Sequence, residues 1–236
     1  SVVLKRKPGD WSLIKVSNTS QDLGDLSAVW SSGDGIIYVG GNKGLWSFSE
    51  ETPTANWQSP ISDPVLAISG MAPTGGRRFI YALGEHAVFF HDISEAKPWK
   101  KYYDLKSDFQ PTALWVMDAD RVIIVGRKGQ ICEYQKEQLL SCLQGITDRD
   151  LFSVFGVTDA AQNPTVYAVG QQGTIVKRQG VGQWARISSP TVKDLFSVWG
   201  SDAGHFIAVG AERTVVVRSP DISFRQGPPS VLQRRR

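Results

Sequence analysis

The chain repeats itself, and that repetition limits its possible folds more than any other feature. Asp150-Leu151-Phe152-Ser153-Val154-Phe155-Gly156 returns as Asp194-Leu195-Phe196-Ser197-Val198-Trp199-Gly200, 44 positions later. Each copy leads into an apolar-alternating run that ends Ala-Val-Gly, at Ala168-Val169-Gly170 and at Ala208-Val209-Gly210. Weaker copies fill the rest. They read Leu26-Ser27-Ala28-Val29-Trp30 with Ile37-Tyr38-Val39-Gly40, Val65-Leu66-Ala67-Ile68 with Ile80-Tyr81-Ala82-Leu83-Gly84, and Ala113-Leu114-Trp115-Val116 with Ile123-Ile124-Val125-Gly126. The marker glycines 40, 84, 126, 170 and 210 are spaced by 44, 42, 44 and 40.

A period of roughly 40–45 residues, made of short strands punctuated by glycine, is the signature of a four-stranded propeller blade. The expected fold is therefore all-β, a β-propeller. The Leu-x-x-Val-Trp/Phe segment is the first strand of each unit, and a second strand ends at the marker glycine. A third follows, as in Thr174-Ile175-Val176-Lys177-Arg178, and a fourth begins near an aromatic, as in Trp184-Ala185-Arg186-Ile187. Gly40 with Gly44, Gly126 with Gly129, and Gly170 with Gly173 bracket tight hairpins, where glycine supplies the positive φ such turns require. A phosphate-cradling loop needs a helix N-terminus behind it, and here a strand follows. The insertions at 72–78 and 159–164 fall between first and second strands, where a loop grows at small entropic cost.

Val2-Val3-Leu4-Lys5-Arg6 and Trp11-Ser12-Leu13-Ile14 align with third and fourth strands, so the chain opens halfway through a blade. The expected organisation is a half blade at 1–25 and full blades at 26–63, 64–110, 111–149, 150–193 and 194–227. A basic, disordered tail at 228–236 ends in Arg234-Arg235-Arg236. An open sheet edge invites aggregation. The leading half then completes an irregular sixth blade, adds a hairpin to a five-bladed ring, or belongs to a larger propeller.

The eight Trp and ten Phe suit a fold that packs blade on blade through large flat side chains. No apolar stretch is long enough to span a membrane. Cys132 falls in a third strand and Cys142 in the fourth strand of the same blade. If the hairpin turns symmetrically about Glu137, the two are direct cross-strand neighbours at a separation a disulfide accepts. Such a bond belongs to an oxidising compartment, so the expected location is extracellular, periplasmic or lumenal. Two unrelated buried thiols are the alternative, since a register slip of one residue sends the side chains to opposite faces.

The charge is nearly balanced, 26 basic against 23 acidic residues. Lys43, Arg127, Lys128, Arg149, Lys193 and Arg213 lie in the second-to-third-strand turns and in the loops that enter first strands. These gather at one end of a four-stranded blade and make a candidate rim for an acidic partner protein. Asp25, Glu85, Asp148, Asp150, Asp194 and Glu212 share those loops and would temper it. His86, His91 and His205 are scattered, and no Cys or His pair has zinc-ligand spacing. No nucleophile elbow or Walker loop is present, so no cofactor, metal or catalytic site is expected. Trp30, Trp115 and Trp199 recur at one place in the blade, as packing demands. With the balanced charge, that argues against nucleic acid.

Ala168-Val169-Gly170-Gln171-Gln172-Gly173-Thr174-Ile175 with Gly182-Gln183-Trp184, and Gly9-Asp10-Trp11, resemble the sialidase-type (BNR, or Asp-box) repeats. More closely, they resemble the photosystem II assembly and stability factor family and the secreted propeller repeats of myxobacterial proteins. The resemblance implies a propeller that serves assembly or binding. An Asp box places Ser/Thr-x-Asp-x-Gly before its Trp, and neither Lys7-Pro8-Gly9 nor Gly180-Val181-Gly182 supplies that Asp. No Arg-Ile-Pro-type segment begins a sialidase site either. The expected function is therefore a non-enzymatic protein-binding scaffold. A carbohydrate-binding propeller is the alternative, with loop aromatics such as Trp57 or Trp99 stacking on glycan rings, and a degenerate glycoside hydrolase stands behind it.

Overall fold

A computed structural model describes residues 2–7, 10–15, 22–31, 33, 35–49, 51, 56–57, 61–72, 76–95, 98–136, 138–159, 163–180, 182–219 and 222–226. The chain divides into two compact units, Ser1–Asp108 and Phe109–Arg236. In the first, β1 (Val2–Lys7) and β2 (Asp10–Lys15) form a two-stranded sheet of their own. Two four-stranded sheets follow. One contains β3 (Leu26–Ser31), β4 (Ile36–Gly41), β5 (Gly44–Ser49) and β6 (Asn56–Trp57). The other contains β7 (Val65–Met71), β8 (Phe79–Gly84), β9 (Ala87–Asp92) and β10 (Lys100–Asp104).

The second unit holds three such sheets. The first of them is β11 (Pro111–Val116), β12 (Arg121–Gly126), β13 (Ile131–Gln135) and β14 (Gln138–Leu143). The next is β15 (Leu151–Thr158), β16 (Pro164–Gly170), β17 (Ile175–Gly180) and β18 (Gln183–Ile187). The last is β19 (Leu195–Asp202), β20 (His205–Gly210), β21 (Val215–Ser219) and β22 (Ile222–Gln226). Every four-stranded sheet is an antiparallel meander in chain order, which is the blade expected from the repeat. The tail at 228–236 lies outside the described residues.

All five blades share a bulge one residue into the first strand, at Ser27, Leu66, Thr112, Phe152 and Phe196. Within each unit the bulged side chain can reach the neighbouring blade. Ser27 Oγ donates to the Val65 carbonyl at 2.9 Å, and Thr112 Oγ1 donates to the Leu151 carbonyl at 2.6 Å. Phe152 instead meets its own counterpart Phe196, with ring centroids 5.9 Å apart.

Blade packing within the second unit follows one rule. The face of β15–β18 that carries Tyr167, Val169 and Ile175 covers the face of β19–β22 that carries Leu195, Val198, Phe206, Ala208 and Val216. The β11–β14 blade covers β15–β18 in the same way, through Trp115, Ile123, Val125 and Ile131 against Leu151, Val154, Val166 and Ala168. Each fully buried aliphatic side chain contributes roughly 1.5–3 kcal/mol, so these interfaces dominate the stability of the unit.

The glycine of the Leu-x-x-Val-x-Gly repeat has its reason here. A Cβ on Gly156 would stand 2.7 Å from the Trp115 ring, and one on Gly70 would stand 2.9 Å from the Trp30 ring. In these two pairs the first-strand aromatic of one blade therefore lies over the first-strand glycine of the next.

A buried polar cluster reinforces one of these interfaces. Arg178 donates from Nε and Nη2 to the two Glu133 carboxylate oxygens at 3.0 Å each, and Trp184 Nε1 donates to Oε1 at 2.8 Å. Both charged side chains are 5% exposed, so each depends on the other to offset the loss of water. Arg218, the counterpart of Arg178 one blade later, donates to the Tyr167 hydroxyl.

Cys132 and Cys142 are register partners with Cα atoms 4.0 Å apart, and they are joined in a disulfide. The hairpin is not symmetric about Glu137, because Gln135 pairs with Gln138. A bulge between Glu133 and Tyr134 restores the Cys132–Cys142 match.

Candidate interaction edge

The marker glycines do not work as the sequence suggests. Gly126, Gly170 and Gly210 have φ of −155°, −171° and −158°, ordinary extended backbone. What they require is room. A Cβ there would lie 2.4, 2.0 and 1.9 Å from the carbonyl oxygens of Gln110, Asp150 and Asp194 respectively. Those carbonyls accept from the next N–H along, from Arg127 at 3.0 Å, Gln171 at 2.8 Å and Ala211 at 2.8 Å.

The first marker is accordingly Gly41 and not Gly40. Leu26 pairs with Gly41 as Leu151 pairs with Gly170. A Cβ on Gly41 would sit 1.8 Å from the Asp25 oxygen, which accepts from Asn42 N–H at 3.1 Å.

In the second unit the turns that follow are single 3₁₀ turns at Arg127–Gly129, Gln171–Gly173 and Ala211–Arg213. Their middle residues, Lys128, Gln172 and Glu212, all have φ of 53°. Gly129 and Gly173 carry the expected positive φ at the third position, 65° and 69°. Arg213 holds the same conformation, at 64°, without being glycine.

The aspartate at the head of each full repeat copy reaches back to the turn of the preceding blade. Asp150 Oδ1 accepts from Lys128 N–H at 2.9 Å, and Asp194 Oδ1 accepts from Gln172 N–H at 2.7 Å. Each aspartate therefore straps two turns, one through its carbonyl and one through its carboxylate. A cation rim was legible in the sequence, but these clasps were not. The signal was the Asp that heads both copies, which reads as an ordinary turn charge.

These bonds bring Arg127, Lys128, Arg149, Lys193 and Arg213 to adjoining turns and entry loops of the second unit. Lys43 stands in the first unit, bonded to Asp22 at 2.7 Å, and that ammonium together with the Gly24 N–H lowers the Asp22 carboxyl from its ordinary value. Lys193 pairs with Glu212 at 2.7 Å, and Arg149 lies 3.4 Å from Asp148. Arg127, Lys128 and Arg213 are exposed and in no ion pair among the described residues. The edge is thus mixed in sign, with three unpaired cations standing out from it.

Other chemistry is thin. Among the described residues no group of three or more His, Cys, Asp or Glu could hold a metal ion. His86 lies in the turn between β8 and β9 rather than within a strand. His91 stacks on Trp99 with centroids 5.2 Å apart. Trp99 is not an exposed loop aromatic. It is 5% exposed, packed with Tyr38 and Phe89, and has no face left for a sugar. Trp57 pairs through its backbone with Trp46, and its side chain lies outside the described residues. His205 is exposed on Asp202, with Nδ1 2.8 Å from the carboxylate. A cleft of about 120 Å³ beside the Glu133–Arg178 pair is well below the 300–1,000 Å³ typical of ligand pockets. No described helix is long and apolar enough to cross a membrane.

No family model matches the chain, and no curated protein matches it. The likeness to sialidase-type and photosystem II factor repeats therefore rests on the quoted residues alone. Among solved structures, the chain is similar to one titled "Structure of U3-55K", with a TM-score of 0.65 at 9% identity over 85% of this chain and 62% of that one. At that identity the likeness shows the fold, a β-propeller. The chain spans less than two thirds of that structure's length.

Proposed function

We propose that this propeller is a non-enzymatic scaffold that binds a partner protein through the turn-and-entry-loop edge of the second unit. The observation that carries the reading is the contrast between backbone and side chains there. The turns are fixed by carbonyl bonds and by the Asp150 and Asp194 clasps, while Arg127, Lys128 and Arg213 extend into solvent. A loop already ordered loses little entropy on binding. Cations on a fixed frame steer an acidic partner and suppress wrong ones.

The test is a charge reversal that leaves the frame intact. Arg127→Glu, Lys128→Glu and Arg213→Glu together should abolish retention of an acidic partner captured from the native source, with an unchanged melting temperature. Retention equal to the parent's would remove this edge as the binding site.

We propose further that the chain matures in an oxidising compartment, which the Cys132–Cys142 bond supports. Alkylation of the native protein without reductant, followed by mass spectrometry, should label neither cysteine. Labelling of both would place the protein in a reducing one. The two-stranded sheet β1–β2 is proposed to be the outer half of a blade, on the alignment of its strands with β17 and β18.

A further inference from the structure

The interface between β15–β18 and β19–β22 brings two cations together where the preceding interface holds an ion pair. One register position is Glu133 in β13, Lys177 in β17 and Val217 in β21, paired across the sheet with Ile123, Tyr167 and Ile207. In the preceding interface Arg178 reaches Glu133 and holds both of its carboxylate oxygens through Nε and Nη2. Arg218, its counterpart one blade later, meets Tyr167 and Lys177 instead. The Arg218 guanidinium carbon stands 5.5 Å from the centre of the Tyr167 ring, and the Lys177 ammonium stands 5.9 Å from the same centre.

No carboxylate neutralises this pair among the described residues. Arg218 donates from Nη1 to the Tyr167 hydroxyl. Its Nε and Nη2, the two nitrogens by which Arg178 holds Glu133, have no partner among the described residues, and neither Lys177 nor Arg218 forms an ion pair there. Both side chains are half-buried. The walls are apolar: Phe206, register partner of Arg218, stands edge-on to the Tyr167 ring at 4.5 Å, and Phe155 and Val157 pack alongside. Burial, and then the Arg218 charge, lowers the Lys177 ammonium from its ordinary value. The tyrosine face attracts each cation but does not cancel the repulsion between them.

We propose that Lys177 and Arg218 form an oxyanion-binding site in this interface. The ligand's charged group takes the place that the Glu133 carboxylate fills one blade earlier. Two of its oxygens accept from Arg218 Nε and Nη2, and its charge offsets the Lys177 ammonium. A guanidinium fork suits any group with two neighbouring anionic oxygens, so a carboxylate and a phosphoryl or sulfuryl group share the required chemistry. The site does not depend on the turn-and-entry-loop edge. Lys177 and Arg218 lie in the bodies of β17 and β21, beyond the turns at Gln171–Gly173 and Ala211–Arg213.

The test is a titration of the full chain with sodium acetate and, separately, with sodium sulfate, at an ionic strength held constant with sodium chloride. The Arg218 Nε–H signal, followed by NMR, should shift saturably. Tighter binding of acetate would name a carboxylate as the ligand, and tighter binding of sulfate a phosphoryl or sulfuryl group. Lys177→Met should weaken binding about tenfold. Lys177→Glu supplies the carboxylate that Glu133 supplies one blade earlier, so it should melt higher than the parent and lose the response. A well-folded variant that no longer binds separates loss of the site from loss of the fold. Asp221, between β21 and β22, lies outside the described residues. Asp221→Asn should leave the affinity within about twofold. A response that appears only after Asp221→Asn would show that the chain provides its own carboxylate, and would overturn the inference. So would a signal that neither anion moves, or a response equal in the parent and in Lys177→Glu.

Discussion

The blades β15–β18 and β19–β22 share almost the same first strand, the same bulge and the same 3₁₀ turn, yet they are built to different standards. The earlier blade is packed on both faces. Its turn ends in Gly173, and Asp194 clasps the middle of that turn. In the later blade the counterparts of the buried row are in solvent, Arg213 replaces the glycine, and no described aspartate holds Glu212. A blade segment does not determine its own burial. Its neighbour does, and the constraint on each turn residue comes from the entry loop that follows it.

The largest break in that comparison should come at the buried ion pair. Glu133→Ala leaves Arg178 buried with no counter-charge and Trp184 without an acceptor, and should cost about 3–5 kcal/mol. Val217→Ala, at the matching but exposed position, should change stability by no more than about 0.5 kcal/mol. Urea unfolding of the two variants measures both. Equal losses would mean that the face of β19–β22 is covered.

The third turn position separates the blades by sign. A Cβ on Gly173 would lie 1.9 Å from the Thr191 carbonyl oxygen, at a φ of 69°. Gly173→Ala should therefore cost about 2–4 kcal/mol through left-handed strain plus overpacking. Arg213→Gly relieves the same strain at φ 64° and should gain about 0.5–1 kcal/mol, after the added flexibility of the unfolded chain is subtracted. A loss at both sites would show that Arg213 is held by contacts its exposure does not suggest.

Val169 and Val209 offer a smaller version of the same test. Val169→Ala removes two methyls from a fully buried site and should cost about 2 kcal/mol. Val209→Ala should stay within about 0.5 kcal/mol.

The repeat, the four strands per blade and the facing cysteines were legible because they depend on local signals: period-two alternation, turn glycines and hairpin register. Trp199 was not. In sequence it is indistinguishable from Trp115, and only the presence of Gly156 over one ring tells them apart. Gly40 and Gly41 are adjacent, so the spacing could not choose the one that approaches the Asp25 carbonyl. Trp99 read as a loop aromatic because it precedes a strand, but its ring turns inward onto His91. At the candidate edge the cations were visible as charges. Which of them are neutralised depends on contacts such as Lys193–Glu212, made between a first-strand entry loop and a turn 19 residues later.

The smallest expected difference lies at the hairpin between β19 and β20. Asp202 accepts from the Gly204 N–H at 2.9 Å and lies on the His205 ring. These contacts, the backbone one first, hold its carboxyl down to about 2 from the ordinary 3.8. Folded protein then binds fewer protons here than unfolded protein does. The contribution is full above the ordinary carboxyl value and fades as pH falls from about 4 toward 2. Asp202→Asn should lower the urea midpoint slightly near neutral pH, and the deficit should close over that acid window. The group is exposed and screened, so high salt should shrink the deficit as well. A deficit that persists unchanged below pH 2 would mean that the asparagine disturbs the turn itself, and that the carboxylate's charge contributes nothing to holding the last blade's hairpin.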